Sequence, residues 1–162
     1  MNFSCDFPLN PATISLRKEE VIFMQELYQL ERDDSPNLET ILYAGLNDEA
    51  VAAKEMNRVS TFGICIKNET QNILGGAKGA VLYGNLYVDA LWIDKKVRDQ
   101  GWGAKLMAEA EKIGRECGCT FATVNTMDWE ALPFYQKLGY NIEFTREGFE
   151  KDSKMFMLRK NL

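Results

Sequence analysis

Apolar and polar positions alternate with period two through the middle of the chain. In residues 61–67, Phe62, Ile64 and Ile66 alternate with Gly63, Cys65 and Lys67, which predicts a half-buried strand. A second β-rich run, 73–83, carries Gly75, Gly76 and Gly79, and a third covers 86–94. A tight turn at Gly84-Asn85 joins the second and third as a hairpin. The period then becomes helical over 101–117. Leu106, Met107, Ala110, Ile113 and Cys117 fall on one stripe, with Lys105, Glu109, Lys112 and Glu116 opposite. Gly118 stands where a left-handed helix cap belongs. A strand at 120–125 and a short helix at 131–138, closed by Gly139, come next. Pro133 fits only the first turn of that helix. Strands at 140–146 and 154–159 finish the chain as expected antiparallel neighbours.

The front of the chain is patterned differently. Residues 1–16 hold Pro8 and Pro11 and read as irregular, with a short strand at 12–16. Residues 17–32 predict a helix with Val21, Met24, Leu27 and Tyr28 on one stripe. Asp33-Asp34-Ser35-Pro36-Asn37 is a break, and we divide the chain there into an N-terminal appendage with one helix, 1–37, and a main domain, 38–162. A short strand is expected at 40–44. A helix capped by Asn47 or Asp48 follows, to about residue 58. The apolar stripe of the appendage needs a cover, and we expect the parent domain or a homodimer mate to supply it.

Composition narrows the function. The 162 residues suit about one domain, and 46% hydrophobic with 27% charged residues is a globular balance. The net charge of −5 argues against extended nucleic-acid binding, which uses basic surfaces. There is no histidine, so Cys-His zinc sites, a Ser-His-Asp triad and a histidine base are all excluded. Cys5, Cys65, Cys117 and Cys119 have no metal-knuckle spacing. We expect no metal, and buried free thiols in a reducing cytoplasm. No run approaches a membrane span or a signal peptide's apolar stretch, so the expected location is cytoplasmic, with no membrane partner.

The segment most informative about chemistry is Leu91-Trp92-Ile93-Asp94-Lys95-Lys96-Val97-Arg98-Asp99-Gln100-Gly101-Trp102-Gly103-Ala104. A strand ends, a basic loop follows, and a glycine-containing turn opens a long helix. The free N–H groups and dipole of a helix N-terminus suit a phosphate, and glycine lets a pyrophosphate approach closely. Neither the Walker ending nor the Gly-x-Gly-x-x-Gly dinucleotide fingerprint is present.

Arg98-x-x-Gly101-x-Gly103 resembles the acetyl-CoA motif of the GNAT N-acetyltransferases. Phe134-Tyr135-Gln136-Lys137-Leu138-Gly139-Tyr140 resembles that family's second signature, one helix, one strand and one short helix downstream. Met155-Phe156-Met157-Leu158-Arg159-Lys160 is similar to the family's last strand. The resemblance covers about residues 39–160. It implies an α/β (α+β) fold with a mixed, largely antiparallel sheet of about six to seven strands, flanked by helices. The central strands splay apart to admit acetyl-CoA as co-substrate.

The resemblance further implies that the backbone of Leu91, Trp92 and Ile93 pairs with the pantetheine arm. Arg98, Asp99, Gln100, Gly101, Trp102, Gly103, Ala104 and Lys105 would surround the pyrophosphate, with Asp128 near the cofactor. Asp89 is the candidate base for the incoming amine, and simple alternation puts it on one strand face with Leu91 and Ile93. Tyr135 is the candidate acid for the departing thiolate. The chain departs from the family pattern at three places. Asp128 stands where asparagine is usual, Asp99 where glycine is usual, and Asp152-Ser153 where some relatives have Gly-His. Tyr83, Tyr87, Trp92, Trp129 and Phe149 either line an acceptor pocket or belong to the core. Asp89, Asp94, Asp128 and Glu130, if near the cleft, would favour a cationic small molecule over a lysine or N-terminus of a protein. Two functions remain open: an N-acetyltransferase acting on a primary amine, and a non-catalytic acetyl-CoA-binding sensor or interaction module.

Overall fold

The computed structural model describes residues 30–162. The expected strand at 12–16 and nearly all of the expected helix at 17–32 lie outside the described residues. Two compact units divide the chain, Met1–Thr40 and Ile41–Leu162.

The first described helix, α1 (Pro36–Lys54), replaces two sequence expectations. Residues 40–44 are helical rather than a strand, and the helix ends at Lys54 rather than near 58. The Ser-Pro step starts this helix. The Asp33 carboxylate accepts from the Ser35 N–H at 2.8 Å. The Ser35 hydroxyl accepts from the Leu38 N–H at 3.4 Å, and Pro36 takes the first-turn place where no N–H is needed. The β propensity of Ile41, Leu42 and Tyr43 yields to this start. Asn47, expected as a cap, sits inside the helix, and its side-chain oxygen accepts from the Val59 N–H at 2.8 Å.

In the second unit, alternation becomes a six-stranded mixed sheet. The strands are β1 (Ser60–Lys67), β2 (Ile73–Leu82), β3 (Asn85–Ile93), β4 (Phe121–Met127), β5 (Asn141–Arg146) and β6 (Met155–Asn161). Their order is β1-β2-β3-β4-β6-β5. Every neighbouring pair is antiparallel except β3 and β4, which are parallel and joined by the long helix α2 (Trp102–Glu116). The β2–β3 hairpin turns on Tyr83-Gly84, one residue earlier than expected. Both have positive φ, 50° and 86°, which suits a tight two-residue hairpin turn.

The core lies between the sheet and the helices α2 and α3 (Leu132–Lys137). Leu86, Val88, Met107, Ala110, Ala122, Val124, Tyr135, Tyr140 and Leu158 form one buried cluster. The α2 stripe differs from the expected one at its C-terminal half. Glu111 and Gly114 are buried, while Cys117 is exposed. A Cβ on Gly114 would lie 3.0 Å from the Leu86 side chain, so the glycine permits close helix–sheet packing. Glu111 is admitted to the core by its partners. Lys160 Nζ lies 2.8 Å from both carboxylate oxygens, Tyr140 donates its hydroxyl at 3.2 Å and Arg115 approaches at 3.4 Å. Of the cysteines, Cys119 is buried, but Cys65 and Cys117 are exposed, against the expectation of buried thiols. Among the described residues no group could hold a metal ion, and no helix is long and apolar enough to cross a membrane.

Candidate active site

Parallel strands β3 and β4 stay together only at one end. Asn85, Leu86, Tyr87 and Val88 pair with Phe121, Ala122, Thr123 and Val124, and the ladder stops there. Beyond it, β3 continues to Ile93 held only by β2, and β4 continues to Met127 held only by β6. The backbone edges of Asp89 to Ile93 and of Asn125 to Met127 therefore border a gap. A polar group in such an edge needs another partner. Leu91, Trp92 and Ile93 lie along it.

A bulge marks the start of the gap. Lys78 pairs with Ala90 but Gly79 with Val88, leaving Asp89 as the extra residue on β3. The bulge overturns the alternation expected for this strand. Leu86 and Val88 face the helices before it, and Leu91 and Ile93 face them after it. Asp89 does not share that face. Its carboxylate is exposed on the opposite side, 3.3 Å from Lys78 Nζ. Tyr87 precedes it on the same side, its hydroxyl accepting from Asn125 Nδ2 at 3.4 Å. Burial, with the Asp89 charge adding to it, raises the Tyr87 phenol above its ordinary value, and the Asn125 bond partly offsets this.

From Ile93 the chain turns through a 3₁₀ segment, Lys95–Val97, into α2. Asp94 caps that segment by accepting from the Lys96 N–H at 2.8 Å, so its carboxylate serves the loop rather than the gap. Arg98 folds back, donating from Nε to the Ile93 carbonyl at 2.9 Å. Asp99 is exposed with φ 61°, and Gln100 is exposed beside it. Gly101 is the N-cap of α2 with φ 79° and offers no side-chain cap. The N–H groups of Trp102, Gly103 and Ala104 have no acceptor four residues back within the helix, and Lys105 is the first to bond, to Gly101 O at 3.1 Å. Lys95, Lys96, Arg98 and Lys105 are all exposed around this end, and Lys105 Nζ lies 4.3 Å above the Trp102 ring. An uncapped helix start with a basic rim fits an anion.

The two glycines are there for different reasons. Gly101 supplies the left-handed turn, and a Cβ there would meet nothing within 4 Å. At Gly103 a Cβ would lie 3.1 Å from the Phe134 ring and 3.4 Å from Ile93. Gly103 thus brings α2 against α3 and does not keep an open approach clear.

Tyr135 sits on the helix side of the sheet, a residue only 6% exposed, with its ring edge-on to Phe134 at 5.1 Å and to Tyr140 at 6.0 Å. Burial, and then the charge of Glu130, raise its phenol to about 12. Asp89 and Tyr135 therefore lie on opposite sides of the sheet. Glu130 is held by the Met127 N–H at 2.8 Å and the Thr126 hydroxyl at 3.2 Å, so it closes the turn after β4. Asp128 is exposed, with its N–H bonded to Lys154 O at 2.9 Å. Of the other aromatics, Trp92 and Trp129 are the most exposed, Tyr83 is in the hairpin turn, and Phe149 is half-buried. Lys78 and Asn125 carry no sequence signal of a site, because their places follow from the bulge and from where β3 and β4 part.

A profile of the acetyltransferase (GNAT) family matches residues 24–140. The chain belongs to that family. Blasticidin-S acetyltransferase of Streptomyces morookaense is 41% identical over 75 residues, 46% of this chain and 55% of that protein. The chain thus spans about half the length of this curated relative. A candidate acetyltransferase from Agrobacterium tumefaciens has a similar crystal structure, with TM-score 0.72 and 26% identity over 83% of this chain and 98% of that one. A candidate streptothricin acetyltransferase from Bacillus anthracis, solved in complex with acetyl coenzyme A, shares the fold. Its TM-score is 0.58 at 20% identity, over 63% of this chain and 62% of that one. The GNAT fold expected from the motifs is therefore present, splayed central strands included.

Proposed function

We propose that this GNAT protein is an N-acetyltransferase that moves the acetyl group of acetyl-CoA to a primary amine, with a cationic small molecule as acceptor. The observation that carries the proposal is the gap that opens after Val88 and Val124 beside the uncapped start of α2. In this reading the pantetheine arm bonds the free edge of Leu91, Trp92 and Ile93. The pyrophosphate takes the N–H groups of Trp102, Gly103 and Ala104 within the rim of Arg98 and Lys105. Gly101 sets that turn, Asp99 and Gln100 stay at its outer edge, and Asp128 lies beyond the end of β4.

The acceptor nitrogen must shed a proton before it has a lone pair. Asp89 receives that proton, directly or through a water. The nitrogen then bonds to the thioester carbon, the C–S bond breaks, and Tyr135 donates its proton to the leaving sulfur. Burial keeps that phenol protonated at neutral pH, so its O–H is present to hydrogen-bond the leaving sulfur. The Asp89 carboxylate, with Tyr87 and Trp92 on the same side of β3, supports a cationic acceptor.

Ala104→Glu tests the cofactor site. Ala104 is exposed in the first turn of α2, where a carboxylate favours the helix dipole but would repel a pyrophosphate. Calorimetry should give acetyl-CoA binding to the protein and at least a tenfold loss in the variant, with the fold intact. Equal affinity in both would remove the site. A non-catalytic acetyl-CoA-binding module shares the binding result and differs only in lacking turnover on any amine.

A further inference from the structure

Around Asp89, strand β2 has been stripped of side chains. It reads Gly75-Gly76-Ala77-Lys78-Gly79-Ala80, and Lys78 alone among these six extends beyond a methyl group. Packing enforces this. A Cβ on Gly79 would strike the carbonyl oxygen of Tyr87, and one on Gly76 the carbonyl oxygen of Ile64. On the side away from α2, Gly76 lies opposite Trp92, Lys78 opposite Ala90 and Ala80 opposite Tyr87. The result is a floor of small residues with an aromatic side chain at each end. One anion, Asp89, sits in it beside one cation, Lys78, at 3.3 Å.

That pair is held weakly. The two side chains are 69% and 48% exposed, and an exposed ion pair contributes only ~0–1 kcal/mol. A primary ammonium carries the same charge and the same three donors as Lys78 Nζ. An acceptor approaching Asp89 therefore meets a carboxylate already satisfied by a chemically equivalent group.

We propose that Lys78 is a specificity-determining residue, a resident ammonium that occupies Asp89 until the acceptor's ammonium takes its place. The inference rests on the acceptor site proposed above. Lys78 sets a threshold. A ligand must gain more than the Lys78 contact, from a second cationic group or from stacking on Trp92 and Tyr87, before it holds Asp89. Simple monoamines are thereby disfavoured against larger, polycationic or aromatic amines.

The test is a binding titration that needs no turnover. 1,4-Diaminobutane is added to the 15N-labelled protein, and the Asp89 amide and Trp92 indole signals are followed. Lys78→Met keeps the alkyl stem and removes the charge. Its affinity should rise about two- to fivefold, the factor that up to ~1 kcal/mol of displaced ion pair represents. Lys78→Arg should bind no tighter than the parent protein, and Asp89→Asn should lose the response. Equal or weaker binding in Lys78→Met, or no response in parent and Lys78→Met alike, would overturn the proposal. Tighter binding in Lys78→Met with no acetylation of any amine would uphold the role of Lys78 while removing the enzymatic reading.

Discussion

At the scale of single residues, the proposed roles of Asp89 and Tyr135 make separable predictions. Asp89→Asn should lower turnover at neutral pH by about 10²–10⁴-fold, the scale of a positioned base. Part of that loss should return at high pH, where solvent deprotonates the amine. Tyr135→Phe should not be rescued in this way, because alkali cannot supply a missing donor. In the parent protein the Tyr135 proton is held to about 12. Turnover at saturating substrate should therefore not fall as pH passes the ordinary phenol value near 10, and a fall centred there would show an unburied, ordinary phenol. The two motif glycines separate as well. Gly101→Ala should cost about 1–2 kcal/mol from its left-handed φ alone. Gly103→Ala should instead disturb Phe134, 3.1 Å from the added carbon. Denaturant midpoints and near-ultraviolet circular dichroism distinguish strain at the loop from a shifted aromatic ring.

At the scale of elements, helix α2 is fixed to the rest of the sheet by a buried charge. Glu111 on α2 takes Lys160 from β6 and the Tyr140 hydroxyl. Removing one partner of such a group is costly, about 3–5 kcal/mol, whereas replacing the pair by apolar residues is often neutral. Glu111→Met alone should therefore destabilise strongly, and Glu111→Met with Lys160→Met should recover most of the loss. Chemical denaturation of both variants checks this, and equal destabilisation by the single and double changes would contradict it. Tyr135 and Tyr140 both have phenols raised above 10, by burial first. The folded protein keeps these protons where the unfolded chain releases them, so stability should be level below pH 10 and fall as pH rises above it. Melting temperature against pH gives the sign directly.

At the scale of the whole molecule, the sequence pattern was legible wherever one face of an element is buried. Alternation found β1, β-rich runs between turn signals marked β2 to β6, helical spacing found α2, Pro133 and Gly139 bounded α3, and the two linked motifs pointed to the family. It failed where local signals meet tertiary demands. α1 buries no residue, so no clear stripe marked it, and β-prone Ile41, Leu42 and Tyr43 read as a strand. The face of Asp89 was misread because a bulge adds one residue and reverses every later side chain. The buried Glu111 had no place on the expected apolar stripe, because its partner Lys160 comes from a strand 49 residues away. The gap itself is a property of the assembled sheet, since it begins where β3 and β4 part and no single segment encodes it. One measurement tests the resulting account most directly. Purified protein is incubated with acetyl-CoA and a panel of primary amines, and free CoA thiol is followed while each amine is weighed by mass spectrometry. The account predicts thiol release that depends on the amine, matched mole for mole by an acetylated cationic acceptor. Acetyl-CoA bound at the α2 N-terminus with no thiol release above the amine-free rate, across the whole panel, would contradict it.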